Sequence, residues 1–286
     1  MKQDKLIAAA LMIVALSAIS GLALITVFIF KEGLPIILRS GVREFFLSSD
    51  WDPKNGAFGI CSMIAGSLAV TAGAMTIGSV FGLGLAIVLT QFCPAGLASV
   101  LKPVVELLAG IPSVVYGFMG VVTIVPLIRT YLGGPGLSVL AASIVLGIMV
   151  LPTVTSISID ALQAVPRSYW EGSIALGATQ WQTTRMVMLK AARSGIMAAV
   201  ILGMGRAVGE TMAVIMVAGN ALEVPHGLLD PVRTLTSNIA LEMGYASGEH
   251  REALFATGVT LFAIIMMLNT IALAIARSSA KKGGSR

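Results

Sequence analysis

Charge is scarce in this chain. Asp, Glu, Lys and Arg together make up 12% of its 286 residues, while 56% are hydrophobic. Soluble globular domains carry about 25% charged residues, so this composition and a mean hydropathy of +0.92 exclude an ordinary water-soluble domain. Cysteine is nearly absent: only Cys61 and Cys93 occur. Read at opposite ends of one helix, they stand about 48 Å apart at the usual helical rise, beyond the reach of a disulfide. Neither lies near a histidine cluster, so no metal site is expected and both read as packing residues. The two histidines, His226 and His250, fall in a segment that reads as a solvated loop. No GxxxxGK[ST] loop is present, so the chain has no ATP site of its own. HExxH and a convincing nucleophile–base set are also missing, which leaves a hydrolase without support. No cofactor is called for, and the basic balance carries no nucleic-acid signal.

What the chain has is long apolar runs. The expected spans are 6–30, 62–91, 104–128, 137–158, 195–221 and 253–276, each near the roughly 20 residues that cross a bilayer as a helix. An all-α polytopic membrane protein with six transmembrane helices follows. The first run is too long for a signal peptide's apolar region and reads as a retained anchor. The second is rich in glycine (Gly66, Gly73, Gly78, Gly82 and Gly84), which favours close helix packing inside a bundle. Pro112 and Pro126 in the third span and Pro152 in the fourth predict kinks or breaks. The organisation divides into 1–61 (first helix and outside loop), 62–276 (a core containing the segment 159–194) and 277–286 (a basic tail).

Six spans place both termini on one side. That side collects Lys2, Lys5, Lys102, the basic residues of 159–194 and the tail residues Arg277, Lys281, Lys282 and Arg286. The opposite side has fewer, so the positive-inside bias puts the termini in the cytoplasm.

The segment 159–194 interrupts the apolar pattern with a local code. Ser168-x-x-Glu171 fits a capping box, Gly177 a helix C′ position, and Thr179-x-x-Gln182 a second capping box. The expected result is a short helix over about 169–176, a glycine break, and another helix. Eight residues are marginal as an isolated helix. With Tyr169, Trp170, Ile174 and Leu176 on it, the helix is suited to docking on another protein; lying on lipid is the alternative.

GRAVGETMAV (205–214) raises a different question, because Arg206 and Glu210 stand inside an apolar span. At i, i+4 they are expected to share a helix face and reach each other. One reading is a structural brace, with Gly205 and Gly209 allowing close packing as a GxxxG pair. The other is a pathway for an anion, since a guanidinium keeps its charge and its donors match phosphate oxygens. Glu210 would then position Arg206 or accept a hydrogen bond from a protonated phosphate oxygen. Ser113 and Tyr116, around Pro112, are further candidates for lining it, and Glu106 reads as an interfacial carboxylate pairing with Lys102.

EGSIALGATQWQTTRMVMLKAA resembles the coupling motif of ABC importer permeases, with Glu171, Ala175, Gly177 and Leu189 in matching places. Gly172 stands where that family has alanine, and Lys190 where it has proline. ELLAGIPSVVYGFMG (106–120) and GRAVGETMAVIMVAGN (205–220) resemble the phosphate-specific permeases, and FFLSSDWDPKNGAFG (45–59) is similar to the PstC type rather than PstA. The resemblance implies a type I ABC importer permease fold whose coupling helix (Ser168, Tyr169, Trp170, Glu171, Ala175, Leu176, Gly177 and Thr179) meets the ATPase. It implies a substrate pathway with Arg206, Glu210, Ser113 and Tyr116, and the movement of inorganic phosphate into the cytoplasm. The implied partners are a PstA-like second permease, a PstB-like ATPase dimer, a PstS-like binding protein outside, and membrane lipid. Another oxyanion, sulfate or molybdate, would leave the same architecture. An ion-coupled secondary transporter would need no ATPase, and no clear inverted repeat supports one. A scaffold or sensor that moves nothing would tolerate loss of Arg206.

Overall fold

The computed structural model describes residues 2–283; of the basic tail, 284–286 lie outside the described residues. The first helix, α1 (Lys2–Ser40), runs ten residues past its expected end at Phe30 and accommodates Pro35. Its apolar side chains Ile13, Leu22 and Val27 are exposed, as lipid-facing residues are. Gly41, at φ +87°, turns the chain into α2 (Val42–Leu47). A small antiparallel hairpin follows, β1 (Trp51–Asp52) with β2 (Ala57–Phe58), pairing Trp51 with Phe58. The Asp52 carboxylate accepts from Lys54 N and Asn55 Nδ2 and so closes its turn.

Next comes α3 (Cys61–Ile87), which ends in a π-helical turn at Val88–Phe92. Cys61 and Cys93 are both free thiols. The expected third span is not one helix. α4 (Ala95–Ala109) stops at Gly110, and α5 (Ser113–Met119) starts after Pro112, whose ring disfavours helical backbone in the residue before it. A second π-helical turn, Gly120–Ile124, leads into α6 (Val125–Tyr131) with Pro126 in its first turn, where the missing N–H costs nothing. Lys102 lies on α4 and pairs with Asp160 at 3.5 Å, not with Glu106 as expected.

α7 (Val139–Gln163) starts at Ser138, whose Oγ accepts from Ala141 N at 3.2 Å, and continues through Pro152 without ending. It is the axis of the core: Ala142, Val145, Leu146, Val150 and Val154 are buried against α3 and the later helices. Small residues let α3 approach it. A Cβ on Gly73 would lie 2.2 Å from Ser143 Oγ, and one on Gly82 would lie 3.0 Å from the Leu151 carbonyl. Gly84 faces open space and takes no part.

After α8 (Arg167–Ala175) and the one-turn α9 (Gln180–Thr183), a third π-helical turn (Thr184–Met188) and α10 (Leu189–Ala191) lead into α11 (Arg193–Gly209). The chain bends by 71° between the 180–191 stretch and α11. The expected span 195–221 is also broken, because α11 ends at Gly209 and α12 (Met212–Val217) restarts beyond Thr211. A Cβ added at Gly205 or Gly209 would meet nothing within 4 Å among the described residues; Gly203 makes the close approach, against Val150 and Val154 of α7.

The 222–252 segment is more than a loop, since it contains α13 (Leu235–Glu242) and the start of α14 (Gly248–Gly283). α14 packs on α1 through edge-on pairs Phe28–Phe255 and Phe30–Phe262, and Gly33 lets the two backbones meet at Ala256. Among the described residues five helices are long and apolar enough to cross a membrane, and the bent element containing α11 makes up to six.

Candidate functional site

The last turn of α11 carries Arg206 into the bundle, where it is partly buried against α7. Its Nη1 donates to Thr153 Oγ1 at 3.0 Å. Thr153 and Arg206 therefore join α7 to α11 at this place. Thr153 was not legible as a site residue, because a threonine in an apolar helix ordinarily bonds its own backbone.

Glu210 does not meet Arg206. Its backbone is extended (φ −68°, ψ 131°) and ends α11. Its Oε1 turns forward to accept from Ala213 N at 3.2 Å, and its carbonyl accepts from Thr236 Oγ1 at 3.0 Å. The local sequence explains the break. Gly209 has low helix propensity, and Thr211 Oγ1 bonds the Gly209 carbonyl at 3.3 Å. A carboxylate beside the start of α12 is favoured by that helix's unpaired N–H groups. The expected i, i+4 pair is thus replaced by a capping carboxylate and an arginine bonded to Thr153. Among the described residues no carboxylate forms an ion pair with Arg206, and Thr153 is its one hydrogen-bonded protein group.

Tyr116 donates to the Leu108 carbonyl at 2.7 Å, tethering α5 to α4 across the Gly110–Pro112 break. Ser113, the first residue of α5, is partly exposed; no hydrogen bond joins it to Arg206 among the described residues.

The α8 region forms a second site at the other end of α3 from the hairpin. Ser168 and Glu171 do not build the expected capping box. Pro166 occupies the N-cap position without a side-chain bond, so Ser168 lies inside the helix and both side chains are exposed. A proline can begin a helix without leaving an orphan donor, which displaces the serine from that task. The end of α8 matches expectation. Gly177 has φ +83°, and the bonds Gly177 N to Ile174 O and Ala178 N to Ser173 O form a Schellman motif. Thr179 and Gln182 cap α9 reciprocally, at 3.3 and 2.8 Å.

Ser173 and Thr183 bond at 2.9 Å and hold α8 to α9. Gln180 Nε2 donates to the Gln91 carbonyl, and Trp181 lies against Phe92. Trp170 turns inward to Leu162 and Met188. Tyr169 and Leu176 stay exposed, Leu176 at 90%, while Ala175 and Thr179 also face outward. This leaves an apolar surface that the chain itself does not cover.

A third cluster was missed in the sequence. Glu242 accepts from Trp51 Nε1 at 2.9 Å, from Arg233 Nη1 at 2.6 Å, and bonds His250 Nε2 at 2.8 Å. An ionised carboxylate only accepts, so His250 carries its proton on Nε2. His250 is not a solvated loop residue; it sits in the first turn of α14 with a side chain 14% exposed. His226 is exposed, as expected. Among the described residues, no group of three or more His, Cys, Asp or Glu side chains converges as a metal site.

Two solved importers are similar to this chain in fold. A bacterial ABC transporter involved in import of the acidic polysaccharide alginate matches with TM-score 0.62 at 14% identity, over 93% of this chain and 95% of its own. The inward-facing MetNI methionine ABC transporter matches with TM-score 0.61 at 20% identity, over 80% and 99%. The fold is therefore that of a type I ABC importer permease, a multi-pass membrane protein. A family model for the binding-protein-dependent transport system inner membrane component matches residues 78–282, and the chain belongs to that family of ABC transport subunits. Its relatives include the probable ABC transporter permease protein YqgH of Bacillus subtilis (strain 168), 46% identical over 238 residues, which cover 82% of this chain and 77% of the relative. The phosphate transport system permease protein PstC of Mesorhizobium japonicum is 35% identical over 279 residues, covering 87% and 85%. A probable PstC of Methanocaldococcus jannaschii is 33% identical over 271 residues.

Proposed function

We propose that this chain is the permease subunit of an ATP-driven importer that moves inorganic phosphate into the cytoplasm. The observation that carries this reading is Arg206: a permanent cation within the bundle, held by Thr153 and paired with no carboxylate among the described residues. An unpaired intramembrane arginine costs about 2.5–3.5 kcal/mol or more, and a passing anion offsets that cost transiently. The guanidinium fork matches a tetrahedral oxyanion. PstC relatives at 33–35% identity support phosphate as that oxyanion.

Glu210 serves this pathway from the side. By capping α12 it holds the break open after Arg206 and keeps its own charge away from the anion. Tyr116 also lines the pathway, with Ser113 one helical turn before it. The basic residues flanking α8 support a cytoplasmic position for it and for both termini. There the exposed Tyr169 and Leu176 receive a separate ATPase dimer, while Glu171 and Thr179 flank the contact. The remaining partners are a second, PstA-like permease and an extracytoplasmic phosphate-binding protein.

The test is phosphate uptake in proteoliposomes containing the chain with its partner permease, ATPase and binding protein. ATP-dependent phosphate accumulation, unaffected by excess sulfate or molybdate, is the expected result. ATP-dependent uptake of sulfate or molybdate in preference to phosphate assigns the other oxyanion. Uptake by this chain alone, driven by an ion gradient, overturns the reading in favour of a secondary transporter.

A further inference from the structure

Many threonines in the helices of this chain share a habit. Thr76, Thr90, Thr123, Thr155, Thr257 and Thr260 each donate their hydroxyl to the carbonyl four residues earlier. That bond uses the hydroxyl proton locally and hides it from any ligand. Thr153 departs from this pattern. Its Oγ1 accepts from Arg206 Nη1 at 3.0 Å, and its hydroxyl makes no bond to a carbonyl of α7 among the described residues.

The chemistry of the two groups fixes the direction of this bond. A guanidinium has donors only, so the threonine oxygen must be the acceptor. The Thr153 proton is then uncommitted and lies beside the uncommitted donors of Arg206. The neighbouring Thr155, two positions on, shows the contrast: it is buried, faces α3 and bonds the Gly82 and Leu151 carbonyls. Thr153 is partly exposed and belongs to the face of α7 that meets Arg206. The one carboxylate near in sequence, Glu210, is turned away to α12, so it does not compete as an acceptor at this place.

We propose that Thr153 is a second oxyanion-contacting residue of the transport pathway, fixing the Arg206 guanidinium through its oxygen and giving its own proton to the passing anion. The inference rests on Arg206 serving the pathway, as argued above. It predicts that the hydroxyl of Thr153, rather than its shape, sets the transport rate. A hydrogen bond to a charged group carries about a tenfold effect.

The experiment compares Thr153→Val, which keeps the shape and loses the hydroxyl, with Thr153→Ser, which does the reverse. Thr153→Ala serves as a second hydroxyl-free variant. Each is made alone and with Arg206→Gln in the reconstituted complex. Uptake is measured with saturating phosphate-loaded binding protein, alongside assembly and ATP hydrolysis. The expected result is about tenfold slower uptake for Val and Ala, near-normal uptake for Ser, and no further loss when Val is added to Arg206→Gln. Normal uptake by the assembled Val and Ala variants overturns the proposal, and impaired Ser with normal Val assigns a packing role instead. An equal fractional loss in the Arg206→Gln background also overturns it, because the hydroxyl then acts independently of the arginine. Arg206→Gln that transports normally removes the pathway reading itself, whereas collapse of Arg206→Gln beside a normal Thr153→Val removes only the role of Thr153.

Discussion

Arg206 and Glu210 are four positions apart in sequence, but the helix ends between them and no ion pair joins them among the described residues. Each has a different partner: Arg206 takes Thr153 on α7, and Glu210 takes the backbone of Ala213. The two residues should therefore behave independently. In a double-mutant cycle of Arg206→Gln and Glu210→Gln, the stability changes should add to within about 0.5 kcal/mol. Thermal unfolding of the purified complex measures this. A coupling of about 1.5 kcal/mol or more would show a brace.

Glu242 holds the end of the bundle that carries the hairpin. It joins Trp51, Arg233 and His250, which come from separate parts of the chain. Removing the carboxylate leaves the Arg233 charge, on a side chain 15% exposed, without its partner. Glu242→Ala should destabilise the protein by about 3 kcal/mol. A thermal or denaturant midpoint unchanged from wild type would contradict the clamp.

The α3–α7 seam sets a pair of opposite expectations. Gly73→Ala puts a Cβ 2.2 Å from Ser143 Oγ, so the two helices must separate or Ser143 must move. Such overpacking costs about 1–3 kcal/mol. Gly84→Ala, on the same helix but facing open space, should be neutral or slightly stabilising. Melting temperatures of the two variants make the comparison directly.

Leu176 is 90% exposed at the end of α8, beside the Schellman motif that shapes the surface. Leu176→Asp should leave the chain's own melting temperature unchanged and reduce co-purification of the ATPase by about tenfold or more. Equal ATPase recovery would show that this residue lies outside the docking contact.

The sequence made some of this legible for physical reasons. Cap codes act within a few residues, so Gly177 and the Thr179–Gln182 box were readable. Ser168 failed because Pro166, just upstream, starts the helix first. The glycines of α3 announced close packing, and Gly73 and Gly82 supply it, but sequence could not show that Gly84 points elsewhere. Hydropathy located the bundle yet passed over the breaks at Gly110–Pro112 and Glu210–Thr211, because an apolar window averages across a local change in backbone. Thr153 and the Glu242 cluster were invisible for a different reason. Trp51 and Glu242 are separated by 191 positions, and Thr153 and Arg206 by 53, distances at which only the folded chain reveals a contact.

The central claim is that Arg206 is a cation awaiting an anion rather than half of a brace. Phosphate uptake by the reconstituted complex carrying Arg206→Gln tests it most directly, with assembly and ATPase activity measured on the same preparation. The account predicts that the complex assembles and uptake falls by about a hundredfold, since a partly buried charged contact to the substrate is removed. Uptake at the wild-type rate in the assembled complex would contradict it, and failure of assembly would return Arg206 to a structural role.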